Sequence, residues 1–141
     1  MIQLRLFDRE KDYPVLEGWW RGHGWDAVPL VVLPPCGVVV YDVIDGVQTD
    51  LCAGWLYMTL GTGLSFMEWV VSNPEASVSG LRTARAITEM VKFLRARAAE
   101  NDYGIMMTAS NNNGLIRLYE RAGFRTTDSK LTHLLMLTKE A

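Results

Sequence analysis

Only two cysteines occur in the 141 residues, Cys36 and Cys52, and a chain of this size can bury a real hydrophobic core without disulfides. Both read as reduced core thiols, and the setting expected for them is the cytoplasm. Histidine is equally scarce. His23 and His133 have no partner at metal-ligand spacing, so no metal site is expected. Positive charge is not in excess: 14 Lys and Arg stand against 16 Asp and Glu, and a net charge of −2 offers no field for gripping nucleic acid. Long apolar runs are missing too. The stretch Val28 to Tyr41 is interrupted by Pro29, Pro34 and Pro35, and Met1 to Phe7 leads into Asp8-Arg9-Glu10, so neither a membrane span nor a signal peptide is expected. Repeats, low-complexity segments and linkers are absent. What is present, 49% hydrophobic and 21% charged residues, is the composition of one globular domain covering residues 1–141.

Ile2 to Phe7 alternates as an opening strand, after which Asp8 is expected to cap a short helix running towards Trp20. Arg21-Gly22-His23-Gly24-Trp25-Asp26 and Leu33-Pro34-Pro35 hold too many breakers for regular structure and predict a loop with aromatics folded back on the domain. Gly37 to Val43 and Leu51 to Thr59 read as strands joined at Asp45-Gly46, a common hairpin dipeptide. A third run, Leu64 to Ser72, follows Gly61-Thr62-Gly63 and ends at Asn73-Pro74. Leu81, Ala84, Ile87, Val91, Leu94 and Ala98 repeat at helical spacing and predict a long amphipathic helix. Gly104 to Thr108 is a short apolar strand, and Leu131 to Thr138 reads as a last strand after the turn Thr127-Asp128-Ser129. The pattern alone predicts a mixed α/β or α+β domain.

Asn112 to Phe124, Asn-Asn-Gly-Leu-Ile-Arg-Leu-Tyr-Glu-Arg-Ala-Gly-Phe, is the most informative segment. The asparagines offer side-chain oxygens to the free N–H groups of a helix start, and Gly123 suits the left-handed stop. Asn112, Tyr119 and Gly123-Phe124 closely resemble the second cofactor motif of the GNAT-type N-acetyltransferase superfamily, which runs Asn, six residues, Tyr-Glu-basic-x-Gly-Phe. The resemblance implies the GNAT fold, a mixed, mostly antiparallel central sheet flanked by helices, and the element order agrees over nearly the whole chain. The stretch Glu68 to Pro74 further looks like small GNAT-like proteins of bacteriophages. The first motif of the family binds the pyrophosphate of an acyl-CoA at the start of the long helix, with the pattern Gln/Arg-x-x-Gly-x-Gly/Ala. Here the aligned stretch is Ser77-Val78-Ser79-Gly80-Leu81-Arg82, in which only Gly80 matches outright. Arg82 is expected either to add a phosphate contact or to block the backbone approach that glycine permits; the plain alternative for Ser-Val-Ser-Gly is a helix cap.

The function implied by the resemblance is transfer of acetyl from acetyl-CoA to an amine acceptor by direct attack. Cofactor contacts are implied at Val70 and Val71 on the fourth strand, at Ser77 through Arg82, and at Asn112 and Tyr119. Tyr119 lies seven residues after Asn112, two helical turns, so both are expected on one side of the helix. Tyr119 is implied as the acid that protonates the departing thiolate, since a phenol with a pKa of about 10 stays protonated at neutral pH; otherwise it is a core Tyr beside Leu118 and Phe124. Glu68, the one carboxylate in Phe66-Met67-Glu68-Trp69-Val70-Val71, is the candidate base, because apolar neighbours raise a carboxylate's pKa. Its alternative is a solvent-facing position, since alternation puts residues 66, 68, 70 and 72 on a single face. His23 with Trp19, Trp20 and Trp25 forms either an acceptor-pocket wall or a satellite apolar cluster. Arg82, Arg85, Arg117 and Arg121 flank the cofactor side as solvated faces or phosphate contacts. The last strands of this fold often pair between subunits, which leaves a homodimer open. The rival function is a GNAT-fold binding or interaction module without transfer activity, which the worn first motif favours.

Overall fold

The computed structural model describes residues 1–75 and 78–139, so Ser77 lies outside the described residues. Four strands form an antiparallel meander: β1 (Ile2–Leu6), β2 (Cys36–Ile44), β3 (Val47–Met58) and β4 (Leu64–Ser72). A short fifth strand, β5 (Ile105–Met107), lies parallel to β4 and completes the order β1-β2-β3-β4-β5. The β2–β3 hairpin turns on Asp45 and Gly46, with φ of 52° and 78°. Left-handed values at both central residues give the turn whose twist matches that of the strands.

Helix α1 (Tyr13–Gly22) and a 3₁₀ turn (Leu30–Val32) cover one face of the sheet. There Phe7, Leu16, Trp19, Trp20, Leu33, Trp55 and Val71 form an aromatic-rich core. Helices α2 (Gly80–Glu100) and α3 (Asn113–Ala122) cover the other face, where Val38, Val40, Leu56 and Met67 meet Ile87, Met90, Val91 and Leu94. Both layers rest on strand alternation, which sends neighbouring residues such as Val38 and Val39 into opposite cores. No helix among the described residues is long and apolar enough to cross a membrane.

Three sequence expectations change. Asp8 does not cap α1: its carboxylate accepts from the Glu10 and Lys11 amides at 2.9 Å each and closes a turn before the helix. The helix starts later because Pro14 suits a first turn, and Asp12 at the cap position spends its carboxylate on Arg5 and the Asp8 amide. On α2 the buried stripe is Ala86, Ile87, Met90, Val91, Leu94 and Ala98, while Leu81 is exposed. Its first turn meets the sheet through Arg82, which pairs with Asp42.

The expected last strand does not form. The turn at Asp128 is present, its carboxylate accepting from the Lys130 amide, but no strand follows α3 among the described residues. Leu134 to Leu137 are 79–90% exposed. Four consecutive apolar residues carry no period-2 pattern, so nothing specifies which face such a strand would bury or in what register it would pair.

Candidate active site

The centre of the candidate site is an irregularity in β4. Ala53 pairs with Val71 and Trp55 with Glu68, so two steps on β3 oppose three on β4: a β-bulge. Met67 and Val70 both pack on the α2 face, leaving Glu68 and Trp69 between them. The simple alternation that would put 68 and 70 on one face is thereby broken. Trp69 takes φ of 61°, a left-handed value that costs a bulky residue about 1–3 kcal/mol. Hydrogen bonds offset that cost. The Trp69 indole N–H donates to the Tyr57 hydroxyl at 2.8 Å, and this hydroxyl donates to the Val32 carbonyl.

On its other side β4 loses its neighbour at the same level. Only Leu64, Ser65 and Phe66 pair with β5, and the last link is Thr108 Oγ1 donating to the Met67 carbonyl at 2.7 Å. From Glu68 onwards β4 has a strand partner on the β3 side alone, so an open backbone edge runs from the bulge towards the start of α2. An open edge offers amide and carbonyl groups to an extended ligand. Val70 and Val71 lie on this segment, Val70 turned to the α2 core and Val71 to the aromatic one. At its far end the Asn73 amide bonds to Leu51 across the sheet, which turns the Ser72 carbonyl outwards, where His23 Nε2 donates to it at 2.8 Å.

Tyr119 reaches this region from α3. It is 4% exposed, inclined against Phe124 at 5.6 Å, and part of the core that holds Cys52 and Met67. Burial pushes its phenol pKa well up, and the Glu68 carboxylate acts in the same direction. Burial also raises Glu68, against a lowering by His133. Tyr119 and Cys52 share the α2-side core and Glu68 acts on the phenol, so one helix and two strands converge here. Cys52 is buried with its pKa pushed up, an inert neutral thiol, and both cysteines are free. Asn112 lies two helical turns before Tyr119. It is the exposed N-cap of α3, its side-chain oxygen accepting from the Leu115 amide at 3.0 Å, while Gly123 ends the helix at φ 117°.

The start of α2 carries the remaining candidates. Ser79 caps the helix, its hydroxyl accepting from the Arg82 amide at 3.2 Å, and its carbonyl accepts from Thr83. Among the described residues a Cβ on Gly80 would meet nothing within 4 Å, which leaves the first turn of the helix open to approach. Val78 is half-buried against the α2-side core and Leu81 is exposed. The Arg82 guanidinium turns towards the sheet: its Nε donates to Asp42 at 3.2 Å, and the Met1 ammonium binds the same carboxylate at 2.8 Å. These two cations hold the Asp42 carboxyl below its ordinary range, the ammonium more strongly. Arg85, Arg117 and Arg121 are exposed and form no salt bridge among the described residues.

Of the loop aromatics, Trp19 and Trp20 belong to the core and Trp25 is half-exposed, stacked on His23 at 4.5 Å. No metal-binding cluster occurs among the described residues. Two grooves of about 560 and 620 Å³ lie along α2, and neither is lined by Tyr119 or Glu68. The candidate site is an open strand edge. Sequence reasoning missed Trp69 and Tyr57, because a bulge inside a continuous apolar run leaves no mark in the pattern.

Comparison with solved structures agrees with this fold. An acetyltransferase from Trypanosoma brucei superposes over 96% of this chain and 100% of its own, with a TM-score of 0.64 at 15% identity. An aminoglycoside N-acetyltransferase in complex with CoA matches over 96% and 100%, with a TM-score of 0.64 at 10% identity. The glucosamine-6-phosphate N-acetyltransferase of Arabidopsis thaliana matches over 96% and 99%, with a TM-score of 0.60 at 11% identity. No family model and no curated protein matches the sequence. The fold of this chain is the GNAT acetyltransferase fold, a mixed α/β architecture whose five strands are mostly antiparallel.

Proposed function

We propose that the protein transfers an acetyl group from acetyl-CoA to a primary amine by direct attack, with Tyr119 as acid and Glu68 as base. The observation that carries this reading is the open edge of β4, which begins at the bulge beside Tyr119 and Glu68 and runs to the capped start of α2. Its free backbone groups suit the amides of a pantetheine arm, and the amides of Gly80 and Leu81 suit a pyrophosphate. Glu68 takes a proton from the substrate ammonium, directly or through water, and its raised pKa fits it for that. Once Glu68 has passed that proton to solvent, the amine nitrogen bonds to the thioester carbonyl carbon and gives up its second proton to Glu68. As the carbon–sulfur bond breaks, its electron pair leaves on sulfur and Tyr119 gives that sulfur its proton. Proton exchange through Glu68 and solvent restores the phenol. Burial keeps Tyr119 protonated, and the same dry surroundings make the departing thiolate more basic. Two reduced cysteines fit a cytoplasmic setting.

Arg82 bound to Asp42 and His23 bound to the Ser72 carbonyl favour a second reading, an acyl-CoA-binding or interaction module without turnover. Thiol release from acetyl-CoA over a panel of primary amines, run beside thermal denaturation with CoA, separates the two. Stabilisation with amine-dependent thiol release supports transfer. Stabilisation without release supports the second reading, and no shift at millimolar CoA removes both.

A further inference from the structure

Three non-glycine residues take positive φ among those described, and two of them, Asp45 and Asp102, sit in turns. Trp69 lies within a strand, where a bulky residue resists that conformation unless its surroundings hold it. The surroundings are a relay: indole N–H to Tyr57 hydroxyl at 2.8 Å, then Tyr57 hydroxyl to the carbonyl of Val32 in the 3₁₀ turn. An indole has one donor and no acceptor, and the Tyr57 proton is spent as well. Trp69 is 41% exposed, and with its one donor spent its side chain offers solvent only carbon and a π face. The next residue along the strand is the half-buried carboxylate Glu68. A braced aromatic side chain one residue from a carboxylate, both at the bulge, suits a cation, and a primary amine of ordinary basicity is an ammonium ion at neutral pH.

We propose that Trp69, braced by Tyr57 and Val32, binds the acceptor as an ammonium ion beside Glu68 and selects amines carried on a flat or apolar body over acceptors with an acidic group next to the nitrogen. This rests on the transferase reading, which makes Glu68 the base that the ammonium must reach. Trp69 is a substrate-binding residue in this scheme, and Tyr57 is a positioning residue.

The test needs no acyl-CoA. The full chain, labelled with ¹⁵N, is titrated at neutral pH with 2-phenylethylammonium chloride and separately with the neutral isostere 2-phenylethanol. The indole N–H resonance of Trp69, assigned through Trp69→Phe, and the backbone amide resonance of Val70 are followed in each, the amide serving where the indole is removed. The expected result is a saturable shift with the ammonium, binding of the alcohol at least tenfold weaker, and at least a tenfold loss of ammonium affinity in Trp69→Leu. Tyr57→Phe, which keeps both rings and removes the brace, should weaken ammonium binding several-fold. That variant decides the matter if Trp69→Leu does not fold. Equal affinity for ammonium and alcohol, unchanged affinity in Trp69→Leu or in Tyr57→Phe, or no saturable shift in the wild type overturns the proposal. Failure here with amine acetylation intact sinks the Trp69 site alone; ammonium binding without thiol release sinks the transferase reading alone.

Discussion

The starts of α2 and α3 are built alike and do different things. Each is capped by a side-chain oxygen, Ser79 accepting from Arg82 and Asn112 from Leu115. At α3 the helix delivers Tyr119 into the core beside Cys52 and Glu68. At α2 the first turn leaves Gly80 and Leu81 open while Arg82 turns to Asp42 on the sheet. A cap therefore says where a helix begins and nothing about what it binds. The difference lies in what each helix places against β4: a buried phenol in one case, a set of free amides in the other.

The sharpest way to break this contrast is Tyr119→Phe. As the acid, Tyr119 should account for about a hundredfold or more in kcat, roughly 2.7 kcal/mol of transition-state stabilisation, measured by thiol release. CoA affinity should stay within about threefold by thermal shift. Retained turnover would remove Tyr119 from the chemistry and leave it a core residue. For the α2 side, acetyl-CoA at about a hundredfold excess over Kd should stabilise the fold by roughly 2.7 kcal/mol in thermal denaturation. Gly80→Ala should leave the free protein's Tm unchanged, since the added methyl meets nothing, yet lower CoA affinity about tenfold by crowding the phosphate approach. Equal CoA affinity in Gly80→Ala and wild type would show that the α2 start is a cap alone.

Smaller effects sharpen the likeness of the two caps. Ser79→Ala and Asn112→Ala should each cost about 1 kcal/mol in urea unfolding. A much larger loss at Asn112 alone would mean that its exposed amide does more than cap. The smallest expected effect is that of Glu68→Gln on stability. Because burial raises Glu68 in the folded protein, the charged form is disfavoured there once pH exceeds its unfolded value of about 4.3. The variant should gain stability over wild type as pH rises through that titration, and the gain should vanish in acid, where both side chains are neutral. Melting curves at pH 3.5 and 7.5 check the sign, while turnover of this variant should fall at neutral pH.

Much of the fold was legible because its signals are local. Alternation marked β1, runs bounded by turn residues marked the other three meander strands, Asp45-Gly46 marked the hairpin, and α3 began and ended where Asn112 and Gly123 said it would. The errors have physical causes. Asp8 and Asp12 offer equal capping chemistry, and the choice fell to Pro14 and to the pull of Arg5 on Asp12. The run Leu131 to Leu137 looked like a strand by composition, but it lacks the alternation that would register it against β5. At the candidate site, Glu68 and Tyr119 could be named from motif and residue type, whereas Trp69 could not. Its role depends on a bulge that only the pairing of β3 with β4 creates.

By itself, then, the sequence determined which segments are strands and helices, where α3 starts and stops, and which phenol and which carboxylate lie on the elements that meet. Those choices are made within one turn or one alternating run, by caps, glycine conformations and spacing. Only the tertiary structure decided that Arg82 faces Asp42, 40 residues away, that the Tyr57 hydroxyl reaches Val32, 25 residues away, and that Trp69 is thereby held exposed beside Glu68. A side chain's partner across a sheet is set by which backbones pack together and where their register slips, and neither is encoded in its own neighbours.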